Sequence, residues 1–339
     1  MVKRTVSYIT IDNLNVINVE LTNYCNAACP MCARFKSDGS LYKEKVNSVH
    51  TSLSLIKQKI PIEVIKQLKR FYSVGTYGDP LMNPECFQIY EWIKIHNENC
   101  NLEMHSNGGG RSTDFWKALG TLKMEVTFGL DGLADTNHLY RRNVHWDKVM
   151  ENVKAFISAG GKAHWKYIVF KHNEQQIEEA EKLSESLGFY SFNFQYSDRW
   201  KDSNWVTGEI NDISKKKVDD YFIEKPTAQL KDKKYNERTV WKVEGTQTFN
   251  LNTKIVCQVF SNNISEIYIR ANGYVQPCCM LGDLDVHESK QIIEDIDSVN
   301  LNKRTLKEIL EGDYFKKLSN GIAGGVERLN NCFYTCKVN

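Results

Sequence analysis

Between residues 14 and 205 one alternation repeats: a short apolar run, a polar or glycine-bearing turn, then a stretch with helical spacing. The apolar runs are 15–21 (NVINVEL), 71–75 (FYSVG), 101–106 (NLEMHS), 124–130 (MEVTFGL), 164–170 (HWKYIVF) and 192–196 (FNFQY). Over 145–161, Val149, Val153, Phe156 and Ile157 share one helical face, with Gly160 placed to end it. Over 173–188, Ile177, Ala180, Leu183 and Leu187 do the same, with Asn173 as N-cap and Gly188 as stop. Strands alternating with helices imply a parallel α/β sheet, because each strand needs a helical crossover to return. The sheet is either open and doubly wound or curved into a full or partial barrel. In both cases ligands gather at the carboxyl ends of the strands.

The alternation breaks down over 198–256, a lysine-rich stretch read as a solvated bridge. Beyond it, 264–279 (ISEIYIRANGYVQPCC) reads as a hairpin, with Ile267 and Ile269 on one face and Asn272-Gly273 as its turn. The segment 304–321 reads as one amphipathic helix. The polar stretch 36–59 reads as a surface loop, or as a cover over the site that contacts substrate.

Bulk properties narrow the functional classes. A formal net charge of +2 over 339 residues offers no electrostatic case for nucleic acid or an anionic membrane. No apolar run is long enough to cross a bilayer, and the N-terminus lacks a signal-peptide core. The expected location is cytoplasmic, where clustered thiols indicate metal binding or catalysis rather than disulfides. The ten cysteines are unevenly placed. Cys25, Cys29 and Cys32 follow the first strand. Cys257, Cys278, Cys279, Cys332 and Cys336 lie near the other end, and Cys86 and Cys100 stand alone as ordinary apolar residues. No phosphate-binding GKS/T loop and no G-x-S-x-G elbow is present.

The C-x3-C-x2-C spacing supplies three thiolates, whereas a structural zinc site usually closes with four ligands. In a four-iron cubane, three cysteines leave one iron open. "CNAACPMC" after a first strand resembles the radical S-adenosylmethionine (SAM) superfamily. In that superfamily SAM chelates the open iron and is cleaved by one electron to a 5′-deoxyadenosyl radical that abstracts hydrogen from substrate. Further segments carry the resemblance. "YGDP" (Tyr77, Gly78, Asp79, Pro80) after the second strand is similar to the turn that binds the methionyl amine, with Tyr for a first glycine and Asp for Glu. Asn107 in "SNGG" and Asp131 in "FGLDG" match the turns after the third and fourth strands, although Gly129 stands where serine is common. Arg141 or Arg142 meets the SAM carboxylate by a two-pronged contact, or simply opens a surface helix. Met31 replaces an aromatic residue and fills its space.

This resemblance implies a partial (β/α)6 TIM-like barrel over 1–200, a bridging segment over 201–256, and a small α+β auxiliary-cluster domain over 257–339. The last region is similar to the SPASM/Twitch domain. Only "CFYTC" remains of that domain's longer late cysteine run, which fits the shorter Twitch form with one further four-iron cluster. The resemblance assigns Cys257, Cys278, Cys332 and Cys336 as its ligands, with Cys279 the spare or the replacement for Cys278. Zinc is the competing occupant of both thiol groups. The implied cofactors are two 4Fe-4S clusters and SAM. The implied partners are a peptide or small-molecule substrate and an external reductant such as flavodoxin or ferredoxin. The barrel's start near residue 14 weighs slightly against a leader-peptide enzyme. A non-catalytic iron–sulfur or zinc protein for electron transfer or scaffolding is the alternative.

Overall fold

The computed structural model describes residues 9–35, 41, 48–197, 223–227, 257, 259, 264–283, 291–322, 332 and 336. Its strands are β1 (Val16–Val19), β2 (Arg70–Ser73), β3 (Asn101–Ser106), β4 (Glu125–Gly129), β5 (Lys162–Val169), β6 (Ser191–Tyr196), β7 (Glu266–Ile269) and β8 (Val275–Gln276). They form one open sheet in the order β6-β5-β4-β3-β2-β1-β7-β8. Every adjacent pair is parallel except the β7–β8 hairpin. Each of the six apolar runs of 15–196 overlaps one strand, with β2, β5 and β6 beginning one or two residues before their run.

The helices are α1 (Leu53–Lys59), α2 (Ile62–Gln67), α3 (Cys86–His96), α4 (Thr113–Thr121), α5 (Asn137–Tyr140), α6 (Trp146–Ser158), α7 (Ile177–Leu187), α8 (Cys279–Asp283), α9 (Leu306–Leu310) and α10 (Asp313–Ile322). Strand burial alternates, so one face of the sheet packs on helices and the other does not. Leu102, Met104, Val126, Phe128, Trp165 and Tyr167 are buried on the helix side. There Trp116 of α4, Phe156 of α6 and Phe128 meet at ring separations of 5.2–6.1 Å. Each such fully buried aromatic contributes on the order of 2–3 kcal/mol. The opposite face carries Glu103, His105, Glu125, Thr127, His164 and Lys166. Among the described residues no helix is long and apolar enough to cross a membrane.

Several local expectations change. Asn173 does not cap α7: its side chain accepts from Phe170 N–H and donates to the carbonyls of Asp131 and Ile168, and a 3-10 turn (Glu174–Gln176) intervenes. Gly188 does end α7, at φ +82°. The single helix expected over 304–321 is two, α9 and α10. A Thr305–Glu308 capping box opens α9, and Gly312 separates the two helices where a β-carbon would press on the Glu308 and Ile309 carbonyls at 3.1 Å. The stretch 36–59 is not all loop, since Ser52 caps α1 by accepting from Leu55 N–H at 3.1 Å. Of that stretch, 36–40 and 42–47 lie outside the described residues. So does the bridge over 201–256 apart from 223–227, where Lys171 N–H donates to the Glu224 carbonyl at 3.1 Å.

Candidate active site

Strand β1 is paired on both edges, by β2 and by β7, so whatever follows it sits centrally at the carboxyl end of the sheet. The loop that follows is folded back on itself. Tyr24 N–H donates to the Thr22 hydroxyl at 3.0 Å, and Val49 N–H donates to Asn23 Oδ1 at 2.7 Å. Met31, buried and at φ +61°, turns the chain between Cys29 and Cys32. Cys32 N–H donates to the Cys29 carbonyl at 3.3 Å, and Arg34 Nη1 donates to the Ala27 carbonyl at 3.0 Å. Ala28 N–H donates to the Arg142 carbonyl at 3.1 Å, which fastens the loop to the far side of the site.

Donors converge on the sulfurs. Ala27 N–H reaches Cys25 Sγ at 3.3 Å, Asn107 Nδ2 reaches it at 3.7 Å, and Arg141 Nη1 reaches Cys29 Sγ at 3.8 Å. Burial nevertheless pushes the Cys25 thiol well up and the Cys29 thiol up to about 11. A half-buried thiol (Cys25) and a buried one (Cys29) that resist ionisation alone, beside a third on the same short loop, suit a cationic centre that supplies the missing positive charge. Among the described residues no three His, Cys, Asp or Glu side chains converge as they would on one metal ion. A four-iron cluster, which spreads its thiolates over separate irons, does not require it. The donor set fits such a cluster.

The turn after β2 packs directly under this loop. A β-carbon on Gly78 would lie 2.1 Å from the Thr22 carbonyl oxygen and 2.8 Å from that of Tyr24. The close backbone approach that requires glycine is therefore to the cysteine loop itself. Tyr77 is buried, and its N–H shares Glu20 Oε1 with Thr76 N–H, at 3.2 and 2.6 Å. Glu20 was not singled out from the sequence. It is 1% exposed, burial raises its pKa, and Tyr268 of β7 adjoins it. Its signal was a carboxylate inside an apolar strand.

Asp79 is 5% exposed and already surrounded by donors. Ser106 Oγ donates to it at 2.9 Å, Asn107 N–H at 2.7 Å and Leu81 N–H at 3.2 Å. Burial still lifts its pKa from 3.8 to about 6, against these hydrogen bonds. Asn107 in turn donates through Nδ2 to Asn26 Oδ1 at 2.8 Å and accepts from Gly109 N–H at 2.8 Å. Asn107 thus joins the cysteine loop, the second turn and the third.

Asp131, fully buried, holds Arg141: Arg141 Nε donates to Oδ2 at 2.6 Å, while Ile168 N–H donates to Oδ1 at 2.5 Å. Burial raises the Asp131 pKa and Arg141 opposes it. The Arg141 guanidinium fills the space over Gly129, where a β-carbon would lie 2.4 Å from Nη2. This is the physical reason that position has no serine. Of the two arginines, Arg141 stands between Asp131 and Cys29. Arg142 is buried, and its carbonyl serves Ala28.

In the C-terminal region, Cys278 follows β8 and Cys279 opens α8. Burial pushes the Cys278 thiol up to about 12, and the neighbouring Cys279 and Cys257 add to the shift. Cys279 lies near enough to Tyr72 of β2 to raise that phenol as well. Cys257, Cys332 and Cys336 are partly buried, and the segments around them lie outside the described residues.

A cavity of about 240 Å³ opens on the polar face of the sheet, lined by Glu103, Glu125, Thr127, His164, Lys166 and Asn193 among others. All of its lining lies within β3, β4, β5 and β6 rather than in the turns that follow them; Lys166, whose charge reaches Asp131, connects it with the fourth turn.

Residues 19–185 match the radical SAM superfamily, and residues 257–337 match an iron-sulfur cluster-binding domain, SPASM. No curated protein matches the sequence. Streptococcus suis SuiB superposes with a TM-score of 0.56 at 15% identity, over 92% of this chain and 68% of that one. SuiB bound to S-adenosylmethionine gives 0.52 at 11% identity, over 79% of this chain, which spans only 61% of SuiB in that comparison. The protein anSMEcpe with bound AdoMet and Cp18Cys peptide gives 0.52 at 13%, over 95% and 87%. At these identities the likeness is one of fold, a partial TIM-like barrel with a C-terminal iron–sulfur domain. The chain carries a radical SAM domain followed by a SPASM-family iron–sulfur domain.

Proposed function

We propose that the chain cleaves SAM reductively and directs the resulting 5′-deoxyadenosyl radical at a hydrogen of a polar substrate held on the inner face of its sheet. The observation that carries this reading is that Asn107 and Arg141 reach the sulfurs of Cys25 and Cys29, on the loop that also carries Cys32, while Asp79 and Asp131 hold those two residues in place at one end of that sheet. Cys25, Cys29 and Cys32 would hold a four-iron cluster with one iron left for SAM, and that cluster would supply the electron. Asp79 and Asn107 set the turns that meet the methionyl end. Tyr77 and Gly78 fix the second turn against the loop, Gly78 by its bare α-carbon and Tyr77 through Glu20. Arg141 offers the carboxylate a cation already oriented by Asp131, and Arg142 braces the loop from behind.

The polar lining of the cavity, with two carboxylates, an imidazole, an ammonium and an amide, matches a hydrogen-bonding substrate better than an apolar one. A peptide segment or a small polar metabolite both satisfy it. Neighbours of the same fold bind peptides, as Cp18Cys on anSMEcpe. Cys257, Cys278, Cys332 and Cys336 would hold one auxiliary four-iron cluster, which would accept an electron or touch the substrate. Cys278, which leaves the end of the β7–β8 hairpin, is the ligand of the adjacent pair in this reading. Flavodoxin or ferredoxin serves as the reductant. Domain limits of 1–200, 201–256 and 257–339 accompany this reading.

The test is anaerobic reconstitution with iron and sulfide, then SAM and dithionite, with 5′-deoxyadenosine measured by chromatography and mass spectrometry. Its appearance supports the reading. An assembled cluster with intact SAM moves the chain to a non-catalytic iron–sulfur role.

A further inference from the structure

Arg34 has no task in this scheme, yet it is among the most deeply buried charges in the molecule. Its side chain is 2% exposed. Nη1 donates to the Ala27 carbonyl, inside the loop that spans Cys25 to Cys32. Nε and Nη2 are buried and meet no acceptor among the described residues. The Phe35 ring stands 5.7 Å from the guanidinium carbon, a contact that engages a ring face and satisfies neither N–H. A buried cation with open donors is strongly unfavourable unless an anion is supplied. Guanidinium does not escape by losing its proton. Arg34 sits two residues beyond Cys32, and its Nη1 contact with the Ala27 carbonyl folds its guanidinium back onto the loop between Cys25 and Cys29.

We infer that Arg34 is the counter-charge of the iron–sulfur cluster, its Nε and Nη2 donating to thiolate or sulfide sulfur. The inference rests on the cluster assignment proposed for Cys25, Cys29 and Cys32. An iron–sulfur cluster held by three thiolates is an anion that becomes more negative on reduction. Donors and positive charge at its sulfurs therefore favour the reduced state and raise the potential. Ala27, by accepting from Nη1, aims the fork, so Arg34 acts as a positioning residue for the loop and an electrostatic partner for the cluster.

The experiment compares wild-type holoenzyme with Arg34→Gln and Arg34→Lys. Iron content and 5′-deoxyadenosine formation by the wild type first establish that the cluster reading holds. The reduced cluster whose EPR signal changes on adding SAM is then titrated potentiometrically in each protein. The midpoint should move to more negative values in Arg34→Gln and less far in Arg34→Lys, which keeps the charge and loses the fork. An unchanged midpoint in both overturns the proposal and leaves Arg34 a tie for Ala27. A second measurement does not depend on the glutamine variant folding. With 15N-arginine in the protein, the reduced cluster should show a nitrogen hyperfine coupling, additional to any from Arg141 beside Cys29, that is lost in Arg34→Lys and kept in Arg141→Lys. Identical spectra in wild type and Arg34→Lys overturn the proposal.

Discussion

The backbone N–H of Asn107 donates to Asp79 Oδ2 at 2.7 Å, locking the turn after β3 to the turn after β2. The carboxylate expected from the sequence to face an ammonium is thus also the fastening between two turns. Removing it disturbs SAM binding through the position of Asn107 as much as through a lost acceptor. Asp79→Ala should weaken SAM binding several-fold with the cluster retained, as read by titration of the reconstituted protein. Equal affinity in the variant would assign the amine to backbone groups alone.

Asp79 also predicts a pH dependence. Its pKa in the folded chain is about 6, above its ordinary 3.8, because burial disfavours the charged form. Folded protein therefore holds this proton more tightly than unfolded protein does. The associated stability is full below about pH 4 and is lost as pH rises through 6. The Tm of cluster-free protein minus that of Asp79→Asn should accordingly decline from pH 4.5 to 7. A difference that grows with pH would contradict it.

Gly78→Ala places a methyl 2.1 Å from the Thr22 carbonyl oxygen, a backbone atom that cannot swing aside. The expected cost is about 1–3 kcal/mol, typical of overpacking. It should be read as a lower Tm of the cluster-free protein together with impaired cluster assembly, since Thr22 lies just ahead of Cys25. A variant as stable as wild type that still loads iron normally would refute this.

Cys25, Cys29 and Cys32 changed together to Ala should abolish 5′-deoxyadenosine formation while iron persists at the C-terminal site. SAM cleavage by the triple variant would show that the active cluster lies elsewhere.

At the C-terminal site, Cys278→Ala should lose iron and Cys279→Ala should keep it, because Cys278 leaves the end of the β7–β8 hairpin and is the ligand proposed for this site. The reverse result would move the ligand by one position. Tightly bound zinc and no iron there would remove the electron-acceptor role and leave the domain a structural platform.

The strands were legible because apolar runs of strand length alternated with helical periodicity, and the cysteine loop because its spacing is local. What escaped was set by contacts far apart in the chain. Asn173 reads as a helix cap, but its amide is taken by the carbonyls of Asp131 and Ile168. Glu20 and Arg34 are charges whose burial no local pattern announces. Gly129 reads as a departure until the Arg141 guanidinium is seen in the space above it. The hairpin was visible in 264–279, but its place in the sheet beside β1 was not, since nothing in a strand's own sequence names its neighbour.

That placement bears on how the protein is made. β7 borders β1, and Ser265 N–H donates to Asn15 Oδ1 across a separation of 250 residues. At ribosomal speeds of about 5–20 residues per second, one edge of β1 stays unpaired for on the order of ten seconds or longer while the rest of the barrel emerges. An unpaired edge is a template for the wrong partner. The nascent loop carrying Cys25 is therefore flanked by finished structure on one side only until β7 emerges, and a fully walled site for a cluster must wait for a strand encoded some 250 residues downstream.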